Sequence, residues 1–385
     1  MKYKGIVITG TSCAGKTTIA SRICKKDTRF EIAHAYTTRE KREDDNGQYT
    51  YINKKQFLKM KENKEFVTTT KYRKSQYGIT REAVEKIIYR NVVPILIVAP
   101  DSFQQMEEID KYLVVFIDAD DAELEERYKA RNHTSLTSDA LAQVEADRKY
   151  ADYAHYLLKN HKIEKTIELL EMLWQSAGSG GVLPQKMISL MLECDMLLKN
   201  AAIEKIQGAS YDLTLGDEYY YGGRIKHLSD ENLILKIEPY DYAIVSCKEY
   251  VTLPKDITAN FGLTVGLFCQ GIILSNGQQV DPGFRGTLFC LLFNTSNKAV
   301  IIKRNSHYAT IEFNKMLDFA PQYKGKNQDK MDILDYIPSN VMQGAINELK
   351  QEIEALKQES KNMQNLYMGV IAIIFAAISV LLILN

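Results

Sequence analysis

The chain has 385 residues, enough for about two to three domains at the usual ~100–200 residues each. Its 49 Lys+Arg match its 49 Asp+Glu, which excludes the global basic bias of a simple nucleic-acid binder, so no nucleic-acid partner is expected. Hydrophobic residues at 45% and charged residues at 25% exclude an acidic disordered chain, and the mean hydropathy of −0.26 averages over one long apolar run near Asn385.

Residues 1–174 alternate short apolar runs with longer helical patterns. Gly5–Thr9, Val92–Ala99 and Leu113–Ile117 read as buried strands, and charged segments such as Ala122–Ala130 lie between them. This alternation predicts an α/β domain, a parallel sheet with helices on both faces. The N-terminus runs straight into the first strand without the apolar core of a signal peptide. Residues 175–181, which include Ser-Ala-Gly-Ser-Gly-Gly, read as a flexible linker.

Residues 182–330 change texture. After a helical stretch over Gln185–Leu198, the β-rich runs SYDLTLG, YAIVSCKEYVTL, GLTVGLF, GTLFCLLFN and KAVIIK repeat between turn signals. They predict a mainly-β barrel or sandwich. Residues 319–335 read as a polar loop.

Residues 331–365 read as a stalk. Met342, Ile346, Leu349, Ile353, Leu356, Ser360 and Met363 alternate spacings of 4 and 3, the pattern of a short coiled coil or of a plain surface helix. Leu366–Leu384 is 19 residues without a charge, or about 28 Å of helix, which predicts a C-terminal transmembrane anchor in a lipid bilayer. Only Asn385 follows, the arrangement of a tail anchor. The six cysteines (Cys13, Cys24, Cys194, Cys247, Cys269, Cys290) show no C-x-x-C and read as reduced thiols, and a zinc site is not expected. With Lys350, Lys357 and Lys361 beside the anchor, they place the globular domains on the cytoplasmic side of a membrane.

Gly10-Thr-Ser-Cys-Ala-Gly15-Lys16-Thr17-Thr18 follows the first strand and opens a helix, the context required of G-x-x-x-x-G-K-[ST]. Backbone N–H groups would cradle phosphates, with Gly10 and Gly15 allowing close approach. Lys16 would reach the β- and γ-phosphates of ATP and Thr17 would ligate Mg²⁺. Further on, Arg39 and Arg42 stand three residues apart before the tyrosine-rich Tyr49-Thr-Tyr51, and two guanidinium groups suit a phosphate dianion.

Together with Glu65-Phe66, Tyr77-Gly78-Ile79-Thr80, Ala122–Arg131 and Leu157–Asn160, this pattern resembles the guanylate kinase family over residues 3–174. The resemblance implies that Arg39, Arg42, Tyr49, Tyr77 and Thr80 meet the acceptor monophosphate. It implies that Arg127 and Arg131 close over ATP, and that Asn160 sits near the adenine. Several positions depart from the family. The residues that read guanine fall on Thr68 and Ile79. The acidic pair ending the central strand falls near Ile97 and Ala99, with Asp101 close by. A lid arginine falls on Gln143, with Arg148 as a stand-in, and Asp44 and Asp45 both match the acidic position after Arg42. Losing buried hydrogen-bond partners for guanine would abolish selectivity for it.

Ile206–Gly216, Val280-Asp281-Pro-Gly-Phe-Arg-Gly286 and Asn294 resemble the dCTP deaminase/dUTPase family over residues 182–330, which implies a distorted β-barrel, commonly trimeric. The deaminase's general-base glutamate falls on Leu291, which cannot move a proton. Its phosphate-binding residues fall on Leu263-Thr264-Val265 and Phe268. Asp281 remains, as a nucleotide contact or a turn cap, and Lys324 and Gln328 match the spacing of the family's C-terminal lid.

Two functions follow as expectations. One is an ATP- and Mg²⁺-dependent nucleoside or deoxynucleoside monophosphate kinase of altered base specificity, fused to a degenerate deaminase-like domain and anchored to a membrane. The other is a nucleotide-sensing membrane effector, as in antiviral defence, whose kinase domain only binds nucleotide. Either would be a homo-oligomer, a trimer by the family resemblance or a dimer by the heptads, since Ile at a with Leu at d favours two strands.

Overall fold

A computed structural model describes residues 2–41, 47, 49–72, 75–336 and 345–383. In chain order the first half comprises β1 (Gly5–Gly10), α1 (Lys16–Lys26), β2 (Phe30–Ile32), β3 (Ala35–Thr37), β4 (Tyr49–Tyr51), α2 (Lys54–Glu62), β5 (Phe66–Tyr72), β6 (Ser75–Thr80), α3 (Arg81–Tyr89), β7 (Val93–Ile97), β8 (Tyr112–Asp118), α4 (Asp121–Asn132), α5 (Ser138–Arg148), β9 (Tyr156–Lys159) and α6 (Ile163–Gln175). The second half comprises β10 (Gly181–Val182), α7 (Gln185–Leu192), β11 (Leu197–Lys199), β12 (Ser210–Tyr221), β13 (Arg224–His227), β14 (Ile234–Ile237), β15 (Tyr242–Thr252), β16 (Ile257–Leu263), α8 (Val265–Phe268), β17 (Ile272–Ser275), β18 (Arg285–Asn294), β19 (Val300–Lys303), β20 (His307–Lys315) and α9 (Ala345–Ile383).

The three apolar runs of the first half form the middle of a parallel sheet in the order β2-β7-β1-β8-β9. Alternate residues serve its two faces. Ile6 and Ile8 join the core with Ile19 and Ile23 of α1 and Leu169, Leu170 and Leu173 of α6. Val7 faces the other way, into a second core with Val84 and Ile87 of α3. A smaller sheet, β4-β3-β6-β5, stands beside this body.

The second half is antiparallel. Among the described residues its main sheet follows β10-β20-β12-β15-β18-β17, with β11, β13 and β16 paired to its flanks and β14 paired with β19. Register shifts in the β12–β15, β12–β20 and β15–β18 pairs bend it into a half-barrel.

The structure departs from the sequence expectations at several places. The expected flexible linker is docked: Gly181 and Val182 pair with Lys315 and Asn314, and Lys315 Nζ donates to both Ser176 oxygens at 2.8 Å. The helix expected over Gln185–Leu198 ends at Leu192, and β11 follows it onto β15. In GLTVGLF only Leu263 and the residues before it are strand, because the chain turns into the short helix α8. The barrel domain also continues past residue 330. Ile333 is fully buried, its N–H donates to Glu218 at 3.0 Å, and the Tyr336 ring lies on Phe289, so residues 331–336 belong to the barrel and not to a stalk.

The helix α9 runs for 39 residues, about 58 Å, through the heptads and the apolar run. Met342 lies outside the described residues. Among the described residues no helix is long and apolar enough to cross a membrane. The expected anchor of Leu366–Leu384 therefore gains no support from the fold.

Candidate functional site

The first strand ends where its backbone must turn sharply. Gly10 has φ 135°, and a Cβ there would lie 1.9 Å from the Ile117 carbonyl oxygen. Gly15 has φ 95°, and its Cβ would meet Asn160 Nδ2 at 2.7 Å. Between them the loop curls over the N-terminus of α1, which no side chain caps. Its first N–H groups are left for an anion. Lys16 Nζ donates to the Gly10 and Thr11 carbonyls at 2.7 and 2.6 Å. Burial pushes its pKa down to about 8, against the pull of Asp147, and Arg131 adds to the lowering. Thr17 and Thr18 are exposed in the first turn of the helix.

This cradle fits a nucleotide phosphate. Both glycines stand where a Cβ would fill it, and an amine and a threonine hydroxyl flank an open helix N-terminus. Lys16 and the loop N–H groups would hold ATP, and Thr17 would hold Mg²⁺.

The floor of the loop comes from residues distant in the sequence, of which Asp118 carries no motif of its own. Asp118 ends β8 and is 3% exposed. It accepts from Thr11 Oγ1 at 2.8 Å, Lys159 Nζ at 2.8 Å and Arg148 Nε at 3.1 Å. Burial alone would raise its pKa, but the bonds from Lys159 and Thr11 outweigh burial and hold the carboxyl below its usual range. Its one local signal is its position, directly after the apolar run Leu113–Ile117. Asn160 was expected near adenine. It lies 3% exposed beneath the loop, donating to the Ala14 carbonyl at 2.8 Å and accepting from Thr166 at 3.0 Å.

Arg127 Nη2 donates to the Asn160 carbonyl at 2.6 Å, and its Nη1 is buried with no hydrogen-bond partner among the described residues. Arg131, one turn later, is exposed and within electrostatic reach of Lys16. Gln143, at the expected lid position, donates to Asp147 at 2.8 Å. Burial raises the pKa of Asp147, against that bond and the charge of Lys16. Arg148 is no stand-in for a lid arginine, because it is held by Asp118, Asp121, Glu145 and the Ala119 carbonyl.

The small sheet positions the residues expected at the acceptor. Thr37 lies opposite Tyr51 and Tyr77, and Ala35 opposite Tyr49 and Ile79, so these side chains share one face. The Arg39 guanidinium lies 5.0 Å from the Tyr49 ring centroid and 5.8 Å from that of Tyr51. Tyr77 meets Tyr49 edge-on at 5.9 Å. Arg42, Asp44 and Asp45 lie outside the described residues. Thr80, expected at the substrate, caps α3, its hydroxyl oxygen accepting from Ala83 N at 3.3 Å. Where guanine would be read, Ile79 is 3% exposed and packed into the core. Asp101 accepts from Thr70 at 3.3 Å and Ser102 at 2.8 Å.

Among the described residues one group could gather a metal ion: Asp120, Glu123 and His161, with ligand atoms within 4.8 Å of one another. Its members are already paired, His161 with Glu123 at 3.1 Å and Asp195 at 3.5 Å, and Asp120 with Lys159 at 3.3 Å.

In the half-barrel, Asp281 is exposed in a turn closed by Phe284 N donating to its carbonyl at 3.1 Å. Leu291 lies within β18, opposite Ile244 and Ser275. Val265 and Phe268 are exposed on α8. Gln328, expected in a lid, is used up in packing: it accepts from Arg285 N at 3.0 Å and donates to the Gly283 carbonyl at 3.2 Å. Lys324 is exposed in the same segment.

Comparison with known proteins agrees with this two-part architecture. The guanylate kinase family model matches residues 2–177, and the dCTP deaminase-like model matches residues 183–316. A dCTP deaminase from Thermococcus kodakarensis is 34% identical over 135 residues, 35% of this chain and 86% of its own length. A guanylate kinase from Desulfotalea psychrophila is 27% identical over 185 residues, 45% of this chain and 89% of its own. A solved guanylate kinase from Anaplasma phagocytophilum covers 46% of this chain and 87% of its own at 16% identity, with a TM-score of 0.37. The chain therefore belongs to the dCTP deaminase-like family through its second half, and its first half is similar to guanylate kinases, so that it reads as a kinase-like fusion of two nucleotide-binding folds.

Proposed function

We propose that the first half transfers a phosphoryl group from ATP to a nucleoside or deoxynucleoside monophosphate whose base is not guanine, and that the chain does so at a membrane. The observation that carries this reading is the pairing of two anion sites. One is the glycine cradle with Lys16 at the N-terminus of α1. The other is Arg39 among Tyr49, Tyr51 and Tyr77 on the small sheet. Phosphoryl transfer asks a protein mainly for placed positive charge. Lys16 holds the donor phosphates, Arg39 the acceptor phosphate, and Arg127 and Arg131 flank the loop. Mg²⁺, held by Thr17, supplies further charge neutralisation when bound. Ile79 offers no hydrogen bond to a guanine edge, which supports changed base selectivity.

Membrane attachment rests on α9. Leu366, Ile371, Ile373, Ile374 and Phe375 are all exposed on it, so the described start of the apolar run shows apolar side chains around the helix. Crossing a bilayer would cover them and hold the globular domains at its cytoplasmic face. The exposed Ile353, Leu356 and Met363 suit pairing with further copies.

A specific observation favours a second reading, a nucleotide sensor. Gln143 replaces a cation, Asp147 adds a carboxylate near Lys16, and Arg148 is held elsewhere. Such a site binds nucleotide with weak support for the transferring group. Coupled ADP release from the full chain, with a panel of monophosphates, tests both. Turnover above a Lys16→Ala control supports the kinase. ATP binding without turnover on any acceptor supports the sensor.

A further inference from the structure

The edge strand β9 touches both nucleotide folds. On its inner side, Lys159 donates to Asp118 at 2.8 Å, and Asp118 holds Thr11 of the phosphate loop at 2.8 Å. The next residue, Asn160, holds the Ala14 carbonyl of the same loop. On its outer side, the Lys159 N–H donates to the Cys194 carbonyl of the half-barrel at 3.1 Å. Tyr156 donates to Asp256, a carboxylate 1% exposed whose other oxygen has no hydrogen-bond partner among the described residues. The His155 ring lies 4.5 Å from that of Phe319.

A second link continues outward. Arg285, in the turn motif of the half-barrel, reaches Asp152 just before β9 at 3.4 Å and Asp329 at 3.0 Å. Asp329 lies in the segment that Gln328, Ile333 and Tyr336 fasten to the barrel. That segment precedes α9 in the chain.

We infer that strand β9 couples phosphate-loop occupancy to the half-barrel and to the segment that precedes α9. This rests on nucleotide binding at the loop as proposed above. A phosphate in the cradle must draw Lys16 away from the Gly10 and Thr11 carbonyls, and the Thr11 hydroxyl donates to Asp118, which Lys159 holds from β9. The loop and the barrel contacts then share one rigid element. A ligand can shift that element only through different affinity for its two arrangements, and the effect must be reciprocal.

The test is hydrogen–deuterium exchange on the full chain in lipid nanodiscs, with and without ATP and Mg²⁺. The expected result is slower exchange in residues 10–18 together with changed exchange in residues 191–199, 253–257 and 319–336. Tyr156→Phe should abolish the barrel response and change ATP affinity about fivefold, by reciprocity. Phe319→Leu should do the same more mildly, and serves where Tyr156→Phe fails to fold. If the loop is protected but the barrel segments do not respond, the coupling is wrong and nucleotide binding stands. If ATP protects wild type no more than Lys16→Ala, both readings fall. If the variants lower Tm yet keep wild-type ATP affinity and barrel response, β9 is only structural and the coupling is overturned.

Discussion

Asn160 Nδ2 donates to the Ala14 carbonyl at 2.8 Å, so a side chain 146 residues away holds the phosphate loop from below. Its oxygen accepts from Thr166 in the same buried space. Asn160→Ala should take the buried side-chain donor from the Ala14 carbonyl, while Thr166 keeps its bond to the Lys162 carbonyl at 3.3 Å, and cost about 1–3 kcal/mol in urea unfolding. Asn160→Asp should cost more, because a carboxylate would face a carbonyl oxygen. Both should weaken ATP binding, and unchanged affinity in a folded variant would contradict this role.

Lys16 gives nucleotide binding a pH signature. Burial holds its pKa at about 8, so the free site loses its charge as pH rises past 8. A bound phosphate would restore that charge. Below pH 8 affinity should be flat, and above it affinity should fall, approaching tenfold per pH unit. Calorimetry in two buffers of different ionisation enthalpy should detect about one proton taken up near pH 9.

His155 makes the junction of the two halves sensitive to acid. Its Nδ1 accepts from Val114 N at 2.8 Å, a bond only the neutral ring can make. Burial, with Lys255 and Lys2 nearby and only Asp318 opposing, pushes its pKa down to about 4. The folded pKa lies below the unfolded value, so this stabilisation is full above pH about 6.5 and is lost as pH falls toward 4. The loss should be on the order of 1 kcal/mol per pH unit, visible in Tm. His155→Gln should flatten that slope.

Gly10→Ala should be severely destabilising. Its Cβ would sit 1.9 Å from a backbone oxygen of β8, which cannot swing away, and φ 135° disfavours any side chain. Little folded protein should be recovered, whereas Gly208→Ala, whose Cβ would meet nothing within 4 Å, should fold normally.

Leu291→Glu should not create a deaminase. The substitution restores one carboxylate on β18, but Leu263, Val265 and Phe268 still offer no side-chain hydrogen bonds to a triphosphate, and Gln328 stays bound to Arg285 and Gly283. No ammonia should be released from dCTP. Release above background would show that the pocket keeps more of its chemistry than its residues suggest.

The phosphate loop was legible because its donors are contiguous, from Gly10 to Thr18. Asp118 and Lys159 were not, because they reach the loop through the adjacency of β1, β8 and β9, which no local pattern encodes. Thr80 matched a family motif, and its second task, capping the helix that starts at Arg81, shows only in the fold. GLTVGLF was ambiguous in kind, since short apolar runs suit either a strand or a buried turn of helix. The Gly/Ser stretch misled for the opposite reason: a flexible composition says nothing about which edge lies within reach to pair with.

That last pairing bears on how divisible the molecule is. Cutting the chain within residues 176–181 would take the Ser176 oxygens from the buried Lys315 amine and leave an edge of β20 open. It would also split one continuous apolar cluster, in which Leu173 and Trp174 of α6 and Met187 and Ile188 of α7 belong to the same core. The two family signatures divide the chain cleanly, but its stability does not follow that border. A mutation that loosens either half is therefore carried by both.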